Sequence, residues 1–310
     1  MHDSATNPNY DAGFANLLSE LGGFIEKSGP EAHEYERISA LFDKLQKCRI
    51  LENGQAITEF VQRSKGAFNT TKTNQGFVCI RPHGYHGDFE IIDRIYKMET
   101  STDPALERWD HYFHWSSAPR AVRARKDYCI RLFEDTVASN SQPVRILNVA
   151  SGPGRDVFEF LSESSNDKTR NAKIHCVDQD PNAVRHAKQL LEPFSHQVSF
   201  ENKSIFRCRL ANDYDLVWSA GLFDYLEDDL FVRLLCKLSA ALSPMGELVI
   251  GNFSNRNTHR SYMEFGGWRL IHRDEDDLLA LAKAANIQGA SVRIDQEPNG
   301  INLFIRIRKL

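Results

Sequence analysis

The stretch Arg145-Ile-Leu-Asn-Val-Ala-Ser-Gly-Pro-Gly-Arg-Asp156 joins an apolar run to two glycines spaced by one residue. Its left half, Val144 to Ala150, is short, rich in β-branched and aliphatic residues and bounded by Pro143, which is the pattern of a buried parallel strand. From Arg155 onward Val157, Phe158 and Leu161 fall at helical spacing. The unit is strand, glycine turn, helix. Glycines there let a ligand approach the main chain with no Cβ in the way, and the helix start leaves backbone N–H groups unpaired. A nucleotide-like or carboxylate ligand suits such a turn. Two phosphate motifs are excluded by particular residues: Val157 stands where a third dinucleotide-binding glycine belongs, and no Gly-Lys-Ser/Thr follows.

The run Lys173-Ile-His-Cys-Val-Asp178 ends in an acid 24 residues after Gly154, and Asp180-Pro181 then signals a helix start. An acid at the end of the second strand of a doubly wound sheet is placed to accept hydrogen bonds from a ribose. A cap for the following helix is the other reading of Asp178. Strand patterns recur at Val198–Asn202, Asp215–Ser219 and Glu247–Phe253, separated by turn signals or helical spacing, so the expected class is α/β. Between the last two, Leu230, Leu234, Leu238 and Leu242 suggest one helical stripe over Asp228–Leu242, stopped by Ser243-Pro-Met-Gly246. Ser291–Asp295 and Ile301–Ile307, joined by Glu297-Pro-Asn-Gly300, read as a terminal antiparallel hairpin.

The first 140 residues lack a glycine loop and a strand series. Helical spacing marks 12–27, 31–49, 54–64, 88–98 and 118–138, with loops at 66–76 and 81–87 and an apolar stripe of Ile38, Leu41, Phe42 and Leu45. The expected organisation is a helical cap over 1–140 and a Rossmann-like domain over 141–310. Gly84-Tyr-His-Gly-Asp88 reads either as a lid piece or as a plain turn.

From about 144 to 308 the order of motifs resembles the class I S-adenosylmethionine (SAM) methyltransferases: the glycine loop, the acid after strand two, Asp-Leu-Val-Trp-Ser219, Ser-Pro-x-Gly246 and the closing hairpin. Asn148 stands where that family usually has an acid, and Ala150 where it has its first glycine. A narrower resemblance rests on Ser151-Gly-Pro-Gly-Arg155, Gly221-Leu-Phe-Asp-Tyr-Leu226, Ile250-Gly-Asn-Phe253, Arg260-Ser-Tyr-Met-Glu264 and the upstream Gly84–Asp88. It is to the bacterial methyltransferases that make the extracellular-factor signal, 3-hydroxypalmitic acid methyl ester. The resemblance implies SAM as cofactor, with its methionine end over Ala150, Ser151, Gly152 and Gly154 and its ribose on Asp178. Its adenine is expected near Gln179, Ser204 and Ile205, with Ser219 and Ala220 closing the site. Tyr225, His259 and Arg260 are the expected catalytic residues, and Tyr85, Asp224, Asn252, Arg256 and Tyr262 the expected acceptor contacts.

Bulk properties narrow the alternatives. With 310 residues, 41% hydrophobic and 26% charged, the chain has the composition of a globular protein with one large core and an accessory region. A net charge of −4 gives no general pull toward nucleic acid or anionic lipid. The polar start, the absence of an apolar run near the roughly 20 residues that span a bilayer, and six cysteines without a CxxC pair lead us to expect a cytoplasmic protein with reduced thiols. The pairs His83/His86 and His111/His114 lack a completing ligand, so no metal is expected. Arg120-Ala-Val-Arg-Ala-Arg-Lys126 reads as a solvated helix face or as the source of an arginine for a carboxylate. A small-molecule acceptor, foremost an acyl carboxylate, fits the resemblance. A homodimer through the helical region stays open. Two rival functions also stand: a metabolite N- or O-methyltransferase using His259 or Asp224 as base, and a SAM-binding regulator without catalysis.

Overall fold

The computed structural model describes residues 8–47, 54–163, 169 and 171–310. In chain order the helices are α1 (Pro8–Glu26), α2 (Tyr35–Lys47), α3 (Gly54–Gln62), α4 (Asn74–Ile80), α5 (Phe89–Lys97), α6 (Glu107–Trp115), α7 (Ser117–Ser139), α8 (Arg155–Glu163), α9 (Pro181–Leu190), α10 (Asp228–Ala240), α11 (Arg260–Phe265) and α12 (Glu275–Ala285). The strands are β1 (Val144–Val149), β2 (Ala172–Asp178), β3 (Val198–Asn202), β4 (Tyr214–Ser219), β5 (Leu242–Phe253), β6 (Ala290–Gln296) and β7 (Asn302–Lys309). These residues fall into two compact units, one drawn from Met1–Gly87, Lys97–Pro119 and Thr258–Arg269, the other from Asp88–Tyr96, Arg120–Asn257 and Leu270–Leu310. No helix among the described residues is long and apolar enough to cross a membrane.

The first unit is helical. The stripe Ile38, Leu41, Phe42 and Leu45 of α2 is buried as its spacing predicts, and Phe42 meets Tyr262 and Phe265 of α11 at ring distances of 4.8 and 5.1 Å. Helices α4 and α6 lie outside the helical patterns read from sequence, because polar groups organise them. Thr73 Oγ1 caps α4 by accepting the Gly76 N–H at 3.0 Å. The buried Asp110 of α6 accepts the N–H groups of Asn74 and Ser101, each at 2.7 Å. A buried acid on a helix face interrupts the apolar periodicity that marks such a face in sequence. The expected helix 31–49 runs in part past the described residues; within them a short 3-10 turn at Ala32–Glu34 leads into α2.

The second unit holds a seven-stranded sheet in the order β3-β2-β1-β4-β5-β7-β6. Strands β1 to β5 run parallel, and β7 pairs antiparallel with both β5 and β6. The chain reverses its direction of winding between β1 and β4, which puts a crevice at the C-terminal ends of those strands. Apolar residues from β1, β4, β5 and β7 pack with Phe231, Leu234, Leu235 and Leu238 of α10 on one face. The opposite face packs on Cys129, Leu132 and Phe133 of α7 and on Val157 and Phe160 of α8.

The predicted leucine stripe of α10 is corrected here. Leu230 is exposed, Phe231 takes the inward position, and Leu242 belongs to β5. Steps of four residues advance about 40° around a helix, so a stripe drawn over three such steps rotates out of the core. Nor does Ser243–Gly246 separate helix from strand. It bulges within β5, whose register jumps from Tyr214↔Leu242 to Leu216↔Glu247.

A buried polar network fixes the chain after β4 to the end of β5. Asp224 Oδ1 accepts the Phe253 N–H at 2.6 Å, and the Asp224 carbonyl accepts the Ile271 N–H at 2.8 Å. Asn252 donates to the Ile271 carbonyl and accepts from Arg273, both at 2.9 Å, while Arg273 also donates to the Leu226 carbonyl and to Asp228. Burial raises the Asp224 carboxyl to about 6, against the partial offset of the Phe253 N–H and of Arg125 and Arg273.

Two outcomes follow from this packing. Gly152 and Gly154 both have positive φ, 53° and 70°, but a Cβ on Gly154 would lie 3.1 Å from Ala187 Cβ and Leu191 Cδ1, whereas one on Gly152 would meet nothing within 4 Å. Urea denaturation is expected to show a loss of roughly 2–4 kcal/mol for Gly154→Ala and about 1–2 kcal/mol for Gly152→Ala; equal losses contradict the assignment of Gly154 to helix packing. Asp224 binds its proton more tightly folded than unfolded, so its contribution is full at low pH and is lost as pH rises from about 4 through 6. Relative to Asp224→Asn, which keeps an acceptor for Phe253, the parent protein should lose up to about 3 kcal/mol over that window. A stability difference that does not change between pH 4.5 and 7.5 contradicts this.

Candidate active site

The turn after β1 is shaped by three left-handed residues, Ala150 (φ 52°), Gly152 and Gly154. A left-handed alanine is unusual and needs its surroundings to hold it. Here the Ser151 N–H is tied to the Val177 carbonyl at 3.3 Å and the Gly154 N–H to the Ser151 carbonyl at 3.2 Å. The Gly152 N–H donates to Asp178 Oδ2 at 2.9 Å, and the other oxygen of Asp178 accepts the Asp180 N–H at 2.9 Å. The carboxylate at the end of β2 thus braces both turns. Burial raises its pKa, and the Asp180 and Gly152 N–H groups pull it back in part. Asp180 itself caps α9 by accepting the Asn182 N–H at 2.8 Å, so the capping expected of Asp178 belongs to its neighbour.

An acid of the next helix lies beside Asn148. Asn148 Nδ2 donates to Asp156 Oδ2 at 3.2 Å, and both residues are buried. Burial raises the Asp156 pKa, with the Val157 N–H and Asn148 opposing. The sequence signal was present in the stretch quoted above, but an acid in a first helical turn also reads as a response to the helix dipole.

The remaining residues expected at a cofactor come from the same C-terminal edge. Gln179 is exposed beside Asp178. After β3, the Lys203 N–H and Asn202 Nδ2 both donate to the Asp178 carbonyl, at 2.9 and 3.0 Å, and Ser204 and the buried Ile205 follow in a short 3-10 turn. Ser219 Oγ donates to the Val149 carbonyl at 3.1 Å across the ends of β4 and β1. The Ala220 carbonyl accepts from Arg125 of α7 at 3.0 Å. Arg125 is 7% exposed. In sequence it is one of four cations within seven residues and has no mark to set it apart.

The residues expected at an acceptor divide between the two units. In the sheet unit, Tyr225 ends a 3-10 turn after β4 and is exposed. Arg256 is also exposed and pairs with Gln296 Oε1 at 2.8 Å and Glu275 Oε1 at 2.9 Å. Asp224 and Asn252 are buried in the network described above. The helical unit holds the other four. Tyr85 is exposed, and Arg260 pairs with Glu264 one turn along α11. Tyr262 is 2% exposed, with its ring 4.7 Å from that of Tyr112. His259 Nδ1 accepts the Ser117 backbone N–H at 3.1 Å, while the His259 backbone N–H donates to Ser117 Oγ at 3.0 Å. Because a backbone N–H can only donate, Nδ1 carries a lone pair and the proton of the neutral ring sits on Nε2. Among the described residues no three of His, Cys, Asp or Glu gather as a metal-binding group.

Residues 146–246 match the methyltransferase domain family. A protein-lysine N-methyltransferase of Schizosaccharomyces pombe is 24% identical over 148 residues, 46% of this chain; the chain spans 61% of that relative's length. Among solved structures, a possible exported protein from Bordetella parapertussis superposes with a TM-score of 0.62 at 16% identity, covering 98% of this chain and 99% of that one. Magnesium protoporphyrin IX methyltransferase from Synechocystis, solved with bound S-adenosylhomocysteine, gives 0.53 at 12% identity over 75% of this chain and 99% of that one. Residues 146–246 thus match a methyltransferase domain, and they lie in a seven-stranded sheet whose fold is similar to that of the solved methyltransferase.

Proposed function

We propose that the chain transfers a methyl group from SAM to the ionised carboxylate of a small acyl acceptor, with a 3-hydroxy fatty acid as the leading case. The observation that carries the cofactor part is the Gly152–Asp178 brace at the β1/β4 crevice: Gly152 faces open space where a Cβ would otherwise stand, which suits a ligand lying against main chain. Asp178 has lone pairs left for ribose hydroxyls beyond the two N–H groups it accepts. Gln179, Ser204 and Ile205 suit the adenine, and Ser219 and Ala220 the methionine end.

The acceptor class is argued from proton balance. SAM supplies an electrophilic methyl on a sulfonium. A carboxylate, with a pKa of about 4, is already ionised near neutral pH, so the C–O bond can form with no proton to remove. An amine or a hydroxyl would need a base. The two residues that rival readings would use as a base are poorly built for it: Asp224 is buried on the Phe253 N–H, and His259 has its Nδ1 lone pair engaged by the Ser117 N–H. What the protein then contributes is placement and exclusion of water. Within the sheet unit, the Tyr225 hydroxyl would orient a carboxylate and Arg256 would supply positive potential. This reading assigns catalysis to residues 141–310.

The test is incubation with methyl-labelled SAM and 3-hydroxy acids of eight to sixteen carbons, followed by mass spectrometry. Methyl esters are expected, with apparent affinity rising by up to about 0.8 kcal/mol per buried CH₂ until the pocket ends. The rate should stay flat down to about pH 5, because no base titrates in the step. Tyr225→Phe should lower turnover with little change in SAM binding. Methylation of an amine or phenol of similar size, with no ester from any acid, overturns the assignment.

A further inference from the structure

The geometry points to self-association of the chain through the outer edge of β6, two copies pairing antiparallel about a two-fold axis at Ile294. Strand β6 ends the sheet, and among the described residues no strand lies on its outer side. Its register with β7 is unbroken from Ala290↔Lys309 to Gln296↔Leu303. The Glu297 N–H donates to the Asn302 carbonyl at 3.3 Å, and the Leu310 N–H to the Gly289 carbonyl at 2.8 Å. Bonding groups alternate sides along an antiparallel strand, so the odd-numbered residues of β6 bond β7 and the N–H and C=O groups of Val292 and Ile294 point outward. Ser291, Val292 and Arg293 are exposed there. A strand edge with open donors and acceptors, and with neither proline nor bulge, is a template for one more strand.

Charge selects a second copy of the chain as that strand. Outward groups meet outward groups only if the two-fold axis falls on a residue rather than between two. An axis at Arg293 or at Asp295 would set like charges face to face, and one at Val292 would set Arg293 against Ser291. An axis at Ile294 sets Arg293 of each copy against Asp295 of the other, with Ile294 opposite itself and Val292 opposite Gln296. Opposite charges directly across an antiparallel pair attract, and like charges repel. Both partners are placed for it. The Arg293 guanidinium is 60% exposed and stands 3.7 Å from Glu247 and 3.9 Å from Asp295 of its own chain, beyond hydrogen-bond distance. Asp295 Oδ1 accepts the outward Gln296 N–H at 2.9 Å, which brings that oxygen to the outer edge, while Oδ2 accepts from the Tyr128 hydroxyl at 2.7 Å. The charges thus lie on the α7 side of the sheet, and Ile294 on the side packed by α10. With the Gln296 N–H already held, pairing adds the bonds exchanged between the Ile294 residues and one from each Val292 N–H to the Gln296 carbonyl opposite.

Sedimentation of the full chain reads the association. The parent protein should run as a dimer of the 35.4 kDa chain and dissociate more readily at high salt. Arg293→Glu sets like charges opposite Asp295 and should raise the dissociation constant by about tenfold or more, whereas Arg293→Lys should keep most of the association. Val292→Pro removes an outward N–H and leaves the β7 ladder intact, so it should give a monomer; the exposed Arg293→Glu serves alone if the proline variant does not fold. Ile294→Cys puts two thiols across the axis at a Cα spacing of about 5.5 Å, within disulfide reach. Oxidation should then link residue 294 of the two copies, as located by peptide mass spectrometry, and the off-axis Ser291→Cys should give no such link. A parent protein that stays monomeric up to about 100 μM overturns the proposal. So does a dimer that Arg293→Glu and Val292→Pro leave unchanged and that Ile294→Cys does not cross-link, because its interface then lies elsewhere.

Discussion

The hydrogen bond from the Gly152 N–H to Asp178 Oδ2 is the constraint on which the edge of the sheet depends. It joins the turn after β1 to the end of β2, and the same carboxylate holds the start of the turn into α9 through the Asp180 N–H. The backbone of Asp178 then holds the chain after β3 through Lys203 and Asn202. One residue therefore ties together three loops. The cost of leaving its carboxylate half-buried is met by backbone donors rather than by a cation, which keeps the crevice free of a competing ion pair at that point.

On the other side of β1 a second set of buried polar groups does comparable work for the loop after β4. Asp224, Asn252 and Arg273 fix that loop to the end of β5. Polar networks of this kind specify one arrangement because any broken member leaves a buried group unsatisfied. They also bury Asp224 and Asn252, two residues that sequence motifs place at the acceptor: a short motif locates a loop on the sheet edge but does not say which of its side chains point inward.

Sequence was most informative where backbone geometry dominates. The alternation of apolar runs with glycine and proline turns located all seven strands, most plainly β1 and β4, because parallel strands buried on both faces are near-continuous in apolar residues. The acid ending β2 was legible from its distance to the glycine turn. What escaped were features set by tertiary contacts. Helix α6 hides behind Asp110, Asp156 turns inward from the adjacent helix to meet Asn148, and Arg125 differs from Arg120 and Arg123 only in being buried. Periodicity reports a helix's average face, and it cannot report a single polar side chain turned inward to meet another segment.

The account turns on whether Asp178 holds a SAM-shaped ligand against the glycine turn, and titration calorimetry with S-adenosylhomocysteine tests that directly. The parent protein is predicted to bind one molecule per chain, and Asp178→Ala, which removes both the turn's brace and the ribose acceptor, to bind it more weakly by roughly 1–3 kcal/mol. Unchanged affinity in a folded Asp178→Ala protein would contradict the account.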